Sequence, residues 1–282
     1  MRLVTRWGLI VLVFLLVAAA APPKGGDSAV RGPKSLVAVR AVAEPVTPLG
    51  PPVPPRAEHI LAKVPVLMYH EIGDKPNNNY VDQVEFEAQM RWLADHGYHG
   101  VTLGEVYRHF HQAAPLPPRP VAITFDDGYS TFYTIVVPTL QQHHFRATNF
   151  VITGQVGKHE FMTWDEVEQL PKLGMEVGAH TVHHPDLRMI SEERLHEEVF
   201  GSKAALEAHL GIPVQFFCYP SGQHNNAVLA MVQAAGFLAG VTTAYGPATP
   251  EQDPLIMDRI RVLRTDTVDA FGVKVARASV EP

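Results

Sequence analysis

Residues 121–129 read Val121-Ala122-Ile123-Thr124-Phe125-Asp126-Asp127-Gly128-Tyr129. An uncharged, largely apolar run of five residues ends abruptly in two adjacent carboxylates and a glycine. A continuous apolar run closed by a turn signal is the pattern of a strand buried on both faces, and such strands belong to parallel sheets covered by helices. The same pattern recurs along the chain. Val64–Tyr69, Ala147–Val151, Met175–Ala179, Gln215–Tyr219, Leu238–Thr242 and Ile260–Leu263 are short apolar runs of strand length.

Helical patterns separate these runs. Glu85–His96 places Phe86, Met90 and Leu93 on one face. Thr131–His143 contains Pro138, which predicts a kink. Thr163-Trp164-Asp165-Glu166 has the spacing of a capping box and predicts a helix to Leu173. Ser191 is placed to cap a long helix ending near Leu210, with Gly211 beyond it, and Asn226–Ala235 predicts another. Seven strands alternating with helices imply an α/β fold on a parallel sheet, open or closed into a barrel.

In a parallel barrel, reactive groups gather at the carboxyl ends of the strands. Four predicted ends carry turn residues or titratable groups: His70-Glu71, Asp126-Asp127-Gly128, His180-Thr181-Val182-His183-His184-Pro185 and Pro220-Ser221-Gly222. Adjacent carboxylates repel unless a cation separates their roles, one binding it and the other remaining free as a base. His180 and His184 are four residues apart, so a helical turn would point both imidazoles one way, with Pro185 ending it. One carboxylate and two imidazoles make a three-ligand site with room for water, the layout of a catalytic zinc. Each element has a plainer reading, as a turn or helix cap and as a hydrogen-bonded histidine pair. Their convergence on neighbouring strand ends favours the metal.

The rest of the chain sets limits. It has 282 residues, a formal net charge of -6 and one cysteine, Cys218. A single cysteine excludes an intrachain disulfide framework and any multi-thiolate cluster. The negative charge argues against nucleic acid as a partner. Residues 1–21 place Arg2 and Arg6 before the apolar run Gly8–Ala21, with small residues at Ala18 and Ala20. This reads as a secretory signal peptide or an uncleaved N-terminal anchor, the one route to a membrane. Residues 22–63 hold nine prolines, six Lys/Arg and three Asp/Glu, the composition of an extended linker. Residues 64–282 form the remaining domain, with 15 basic and 26 acidic residues. An acidic surface suits solubility, or a glycan carrying free amines.

The quoted Thr124–Tyr129 and His180–Pro185 segments resemble the first two motifs of the polysaccharide deacetylases, the NodB-type domain of carbohydrate esterase family 4. The resemblance spans roughly residues 64–265 and implies a distorted parallel barrel of about seven strands. It implies that Asp127, His180 and His184 bind one divalent ion, zinc with cobalt or nickel as alternatives, and that Asp126 is the general base. His183 falls at a variable position.

Later motifs depart from the family pattern. Its Arg-x-Pro-Tyr-Gly stretch is here Cys218-Tyr219-Pro220-Ser221-Gly222. A serine N–H can replace a tyrosine N–H in an oxyanion hole, so Ser221 keeps that role, and Arg259 resembles a substitute for the missing arginine, which in the family orients the base. Ser221, Tyr129 and Arg259 are therefore expected at the oxyanion and substrate. No histidine follows His224, so the family's late acid histidine is absent. Val66-Leu67-Met68-Tyr69-His70-Glu71 instead resembles the start of the poly-N-acetylglucosamine deacetylase subgroup, in which an early histidine, here His70, is the acid. Asn79-Tyr80 and Val101-Thr102-Leu103 resemble the same subgroup. Cys218, in a strand pattern, is expected as a small core residue.

The implied activity is hydrolysis of N-acetyl groups from an N-acetylglucosamine-containing polysaccharide, by a secreted or cell-surface monomer acting on cell wall or biofilm matrix. Two other functions fit the same residues: a metal hydrolase of a small amide or O-acetyl ester, and an inactive glycan-binding barrel.

Overall fold

A computed structural model describes residues 59–75 and 79–279. The expected signal and nearly all of the proline-rich segment lie outside the described residues. Among the described residues no helix is long and apolar enough to cross a membrane.

In chain order the elements are β1 (Val66–Tyr69), β2 (Glu71–Ile72), β3 (Tyr80–Val81), α1 (Gln83–Asp95), β4 (His99–Val101), α2 (Leu103–Gln112), β5 (Pro120–Phe125), α3 (Val137–Gln142), β6 (Thr148–Val151) and α4 (Trp164–Gln169). They continue with β7 (Glu176–Ala179), α5 (Glu192–Leu210), β8 (Phe216–Cys218), α6 (Asn226–Ala234), β9 (Ala239–Tyr245), β10 (Met257–Arg261) and α7 (Val268–Ala278). Seven strands close a parallel ring in the order β1-β10-β9-β8-β7-β6-β5, and β5 pairs back with β1. Closure is made at Val66↔Ala122 through Tyr69↔Phe125, so the first predicted strand is locked between the second and the last. All seven predicted strands are in this ring.

Three short strands escaped the sequence reading. β4 pairs with the first half of β5 (His99↔Pro120), while β6 takes the second half (Thr124↔Thr148). β4 is thus wedged at the amino-terminal end of the ring rather than being an eighth stave. β2 and β3 pair with each other outside it.

Alternate strand residues face two cores. Val66, Ala122, Phe150, Cys218, Val241 and Met257 pack together with Leu103, Val106 and Phe110 of α2. This set fills the barrel and seals its lower end. Leu67, Ile123, Val151 and Phe217 face outward under the helices. Burying a side chain of this size contributes about 1.5–3 kcal/mol, so the two layers dominate the stability.

The helices follow their local signals with two adjustments. Thr163 and Glu166 form the capping box, but α4 stops at Gln169 and a 3₁₀ turn runs over Pro171–Leu173. Pro171 lacks the N–H needed to continue it. Pro138 has a similar effect upstream. A π-helical turn spans Phe132–Val136, and the Val137 N–H bonds to Phe132 C=O. Proline then sits in the first turn of α3, where no N–H is required.

Candidate active site

Because the ring is parallel, the ends of β1, β5, β7 and β8 open on one rim. A cavity of about 160 Å³ lies there, lined by His70, Asp126, Asp127, His180, His184 and Ser221, with Asn79, Tyr219, Thr243 and Arg261 beside them. A larger cavity, about 420 Å³, runs between Leu187–Leu195 and α6, but its lining is mostly apolar and holds no histidine. The chemistry therefore belongs to the smaller one.

The backbone ties the strand ends together. Asp126 N–H donates to Tyr69 C=O (3.0 Å), and Ile152 N–H at the end of β6 donates to Asp127 C=O (3.3 Å). The β5 and β7 ends are not neighbours as expected, since β6 lies between them. Asp127 adopts φ 80°, a left-handed conformation that turns the chain across the top of β6. That conformation is costly for a non-glycine residue and persists only where the surroundings enforce it.

Asp126 is buried and gripped by Arg259. One guanidinium nitrogen lies 2.7 Å from Oδ1 and another 2.7 Å from Oδ2. Arg259 also reaches Thr242 C=O (2.9 Å), Thr124 Oγ1 (3.1 Å) and Cys218 Sγ (3.4 Å). Burial alone would raise the Asp126 pKa. The guanidinium, by its charge and hydrogen bonds, overrides this and holds the carboxyl far below the usual range. Arg259 is fully buried and does not line the cavity. This corrects the expectation that it faces the substrate. β10 is a stave of the ring, and the Arg259 side chain points from it into the barrel interior, where it meets Asp126 as a substitute for the missing arginine would, rather than standing with Ser221 at the cavity. Cys218 is buried beside it, and the small side chain leaves room for the guanidinium.

His180 ends β7. Its Nδ1 lies 2.7 Å from Cys218 C=O, which fixes the hydrogen there and leaves Nε2 toward Asp127 Oδ1 at 3.5 Å. His184 arrives by a different route from the one its spacing predicts. Residues 181–186 form no helical turn; Thr181 has φ 65° and His184 φ 60°. Thr181 Oγ1 accepts the His184 N–H (2.9 Å), folding the chain back so that the two imidazole centroids are 4.7 Å apart at 79°. One ligand atom each from Asp127, His180 and His184 falls within 4.8 Å of the others. A carboxylate oxygen and two imidazole nitrogens at this spacing, one with its tautomer set, fit a single divalent ion. Asp126, His180 and Cys218 are similarly close. However, both Asp126 oxygens are already committed to Arg259, so that grouping is unsuited to an ion.

His70 follows β1, with Nε2 3.9 Å from Asp126 Oδ2. Burial lowers its pKa; Asp126 and Asp127 pull it back up, and Arg259 and Arg261 push it down again. Ser221 lies across the cavity at φ 52°, ψ 19°, and its C=O accepts from Thr243 Oγ1 (3.3 Å). Tyr129 is not in the lining. It stacks on Phe161 (5.0 Å, 17°) just outside, joined to it by a backbone bridge. His183 points outward, half-exposed, toward Glu198. Glu198, fully buried in α5, was not singled out from the sequence. The signal was present: it falls on the buried stripe Leu195, Val199, Ser202, Leu206, where a carboxylate has no place without a partner.

Comparison with known proteins agrees with the geometry. The polysaccharide deacetylase family model matches residues 113–240. YxkH of Bacillus subtilis (strain 168), which bears this family's name, is 31% identical over 214 residues, 76% of each chain. The poly-beta-1,6-N-acetyl-D-glucosamine N-deacetylase of Staphylococcus aureus (strain MSSA476) is 28% identical over 225 residues, 74% of this chain and 76% of that one. Among solved structures, the Streptococcus pyogenes deacetylase PplD in complex with acetate superposes with a TM-score of 0.72 at 31% identity, covering 79% of this chain and 100% of that one. The chain belongs to the polysaccharide deacetylase family, and with it to the hydrolases of carbon–nitrogen bonds.

Proposed function

We propose that this protein removes N-acetyl groups from an N-acetylglucosamine-containing polysaccharide, using one divalent ion, zinc by its donor set, held by Asp127, His180 and His184. The observation that carries the reading is the pairing of this three-ligand cluster with a separate, arginine-held carboxylate at the same rim. Its family supports the reaction. The poly-N-acetylglucosamine relative supports the substrate class.

The residues divide the work as follows. An ion so held supplies Lewis acidity, polarising the acetamide oxygen and making water more acidic. Asp126 stays ionised because of Arg259 and takes the proton of the attacking water. The new C–O bond makes the acetamide carbon tetrahedral, and the Ser221 N–H is assigned to its oxyanion. Such a donor is typically worth about 3 kcal/mol. His70, protonated, gives its proton to the departing nitrogen; the C–N bond breaks, leaving acetate and a free amine. The cavity is sized for an acetamide rather than a chain, so the polysaccharide lies over the rim, where Tyr129 stands. The proposed substrate and the signal-like residues 1–21 both support a place outside the cell.

Acetate release from N-acetylglucosamine oligomers, with chelated and zinc-refilled protein, tests this. Release only after refilling is expected. His180→Ala or Asp127→Ala should abolish stoichiometric zinc. His70→Ala should keep zinc and lose about 10²–10⁴-fold in turnover. Acetate release from chelated protein at the refilled rate would overturn the metal reading, and near-normal turnover in His70→Ala would remove His70 from the mechanism.

A further inference from the structure

The segment between the two histidine ligands is held from both sides. Below it, Thr153 N–H donates to Thr181 C=O (3.2 Å) and Gly154 N–H to Val182 C=O (2.8 Å). The approach is close: a Cβ on Gly154 would stand 2.4 Å from that carbonyl oxygen. Above it, Glu198 Oε2 accepts the N–H groups of Val182 (2.8 Å) and His183 (2.7 Å). The other oxygen, Oε1, lies 2.9 Å from His183 Nδ1 and 2.8 Å from an Arg194 nitrogen. Arg194 and His183 Nδ1 are themselves 2.9 Å apart, so the tautomer of His183 decides whether Nδ1 donates to Glu198 or accepts from Arg194, while Arg194 donates to Glu198 in either case. The two backbone bonds stand in either case.

Two features make this more than loop decoration. The bonds fall on the residues between His180 and His184, and the segment carries left-handed φ values at Thr181 and His184, which relax unless opposed. Glu198 is fully buried and paired with Arg194, and bonds that a carboxylate accepts from N–H groups are about twice as strong as neutral ones.

We infer that Glu198 is a positioning residue: from the buried face of α5 its carboxylate holds the 182–183 backbone so that His184 stays beside His180 and Asp127. The inference rests on the metal reading above. Glu198 touches neither ion nor substrate; it acts through the ligand loop.

The test uses the full chain as wild type, Glu198→Ala, Glu198→Gln and His183→Ala. Zinc affinity is measured by competition with a chromogenic chelator, and amide hydrogen exchange of the metal-free proteins is followed at Val182 and His183. Glu198→Ala is expected to weaken zinc by about 10–100-fold, the usual effect of losing an outer-shell partner, and to speed exchange at both amides at least about tenfold. Glu198→Gln keeps an acceptor without the charge and should fall between. His183→Ala should stay within about threefold of wild type, because the backbone bonds remain. A folded Glu198→Ala with zinc affinity within that margin of wild type, or with unchanged amide protection, overturns the inference. So does a loss in His183→Ala as large as in Glu198→Ala. Should the alanine variant fail to fold, Glu198→Gln decides, and wild-type affinity there overturns it. Zinc bound equally by wild type and Glu198→Ala removes only the role of Glu198; a wild type that takes up no zinc removes the metal reading with it.

Discussion

As the proposed base, Asp126 must stay ionised in a buried place and still accept a proton. Arg259 meets the first demand with a two-pronged contact, and Lys cannot reproduce that fork. Arg259→Ala leaves a buried carboxylate unpaired and should cost about 3–5 kcal/mol in urea unfolding; Arg259→Lys should also lose stability. The signs of the titrations follow. Burial lowers the His70 pKa in the fold, so its contribution to stability is present above the ordinary histidine pKa and is lost as pH falls through its folded value. Asp126, held low by Arg259 against burial, contributes above the ordinary aspartate pKa and loses this in a more acid window. The two losses should separate in stability measured against pH. By NMR, the His70 ring should titrate below 6.5, and Asp126→Asn should move its midpoint further down. An upward move would contradict the Asp126–His70 coupling.

The turn after β8 is where an element bends its geometry to the site. Ser221 sits at φ 52° and Gly222 at φ 71°, and a Cβ on Gly222 would stand 2.6 Å from the Thr243 backbone nitrogen. The strain aims the backbone, not the hydroxyl, and the proposed role needs only the N–H. Ser221→Ala should therefore keep acetate release within about threefold. Ser221→Gly should do the same and stabilise the fold by about 1 kcal/mol, since glycine adopts this φ without a Cβ penalty. Both follow from thermal unfolding and one kinetic assay, and a hundredfold loss in Ser221→Ala would place the hydroxyl in the reaction.

At the scale of the molecule, ring closure ties the first strand of the domain to the last. β1 is bonded on both edges, and a short antiparallel bridge, Val64 with Ala248, and the bond from Leu61 N–H to His109 Nε2 (2.9 Å) anchor the chain just before it. These contacts are made by Leu61 and Val64. We propose that residues 1–58 serve export and spacing, and that a chain starting at His59 keeps its fold and acetate release. A melting temperature within about 2 °C of the full chain is expected; a fall of 10 °C or more would show that the proline-rich segment packs on the domain.

Much of this was legible along the chain. Seven apolar runs mark the seven staves, because a strand buried on both faces must be apolar throughout, and the reactive residues follow those runs directly. The capping boxes and the proline breaks act through neighbours a few residues away, so they too were visible for α4 and α3. What was not legible depends on partners far off in sequence. The three-residue β4 has too little pattern to declare itself. The four-residue spacing of His180 and His184 suggested a helix, but a carboxylate on α5 and the backbone at Gly154 impose an irregular loop instead. Arg259 lies 133 positions from Asp126, and only closure of the ring sets one behind the other. The sequence by itself determined seven parallel strands with helices between them, their reactive ends and the residue types there; the tertiary structure alone decided that the sheet closes and which groups touch, because contact between distant segments is fixed by strand order and packing, not by local spacing.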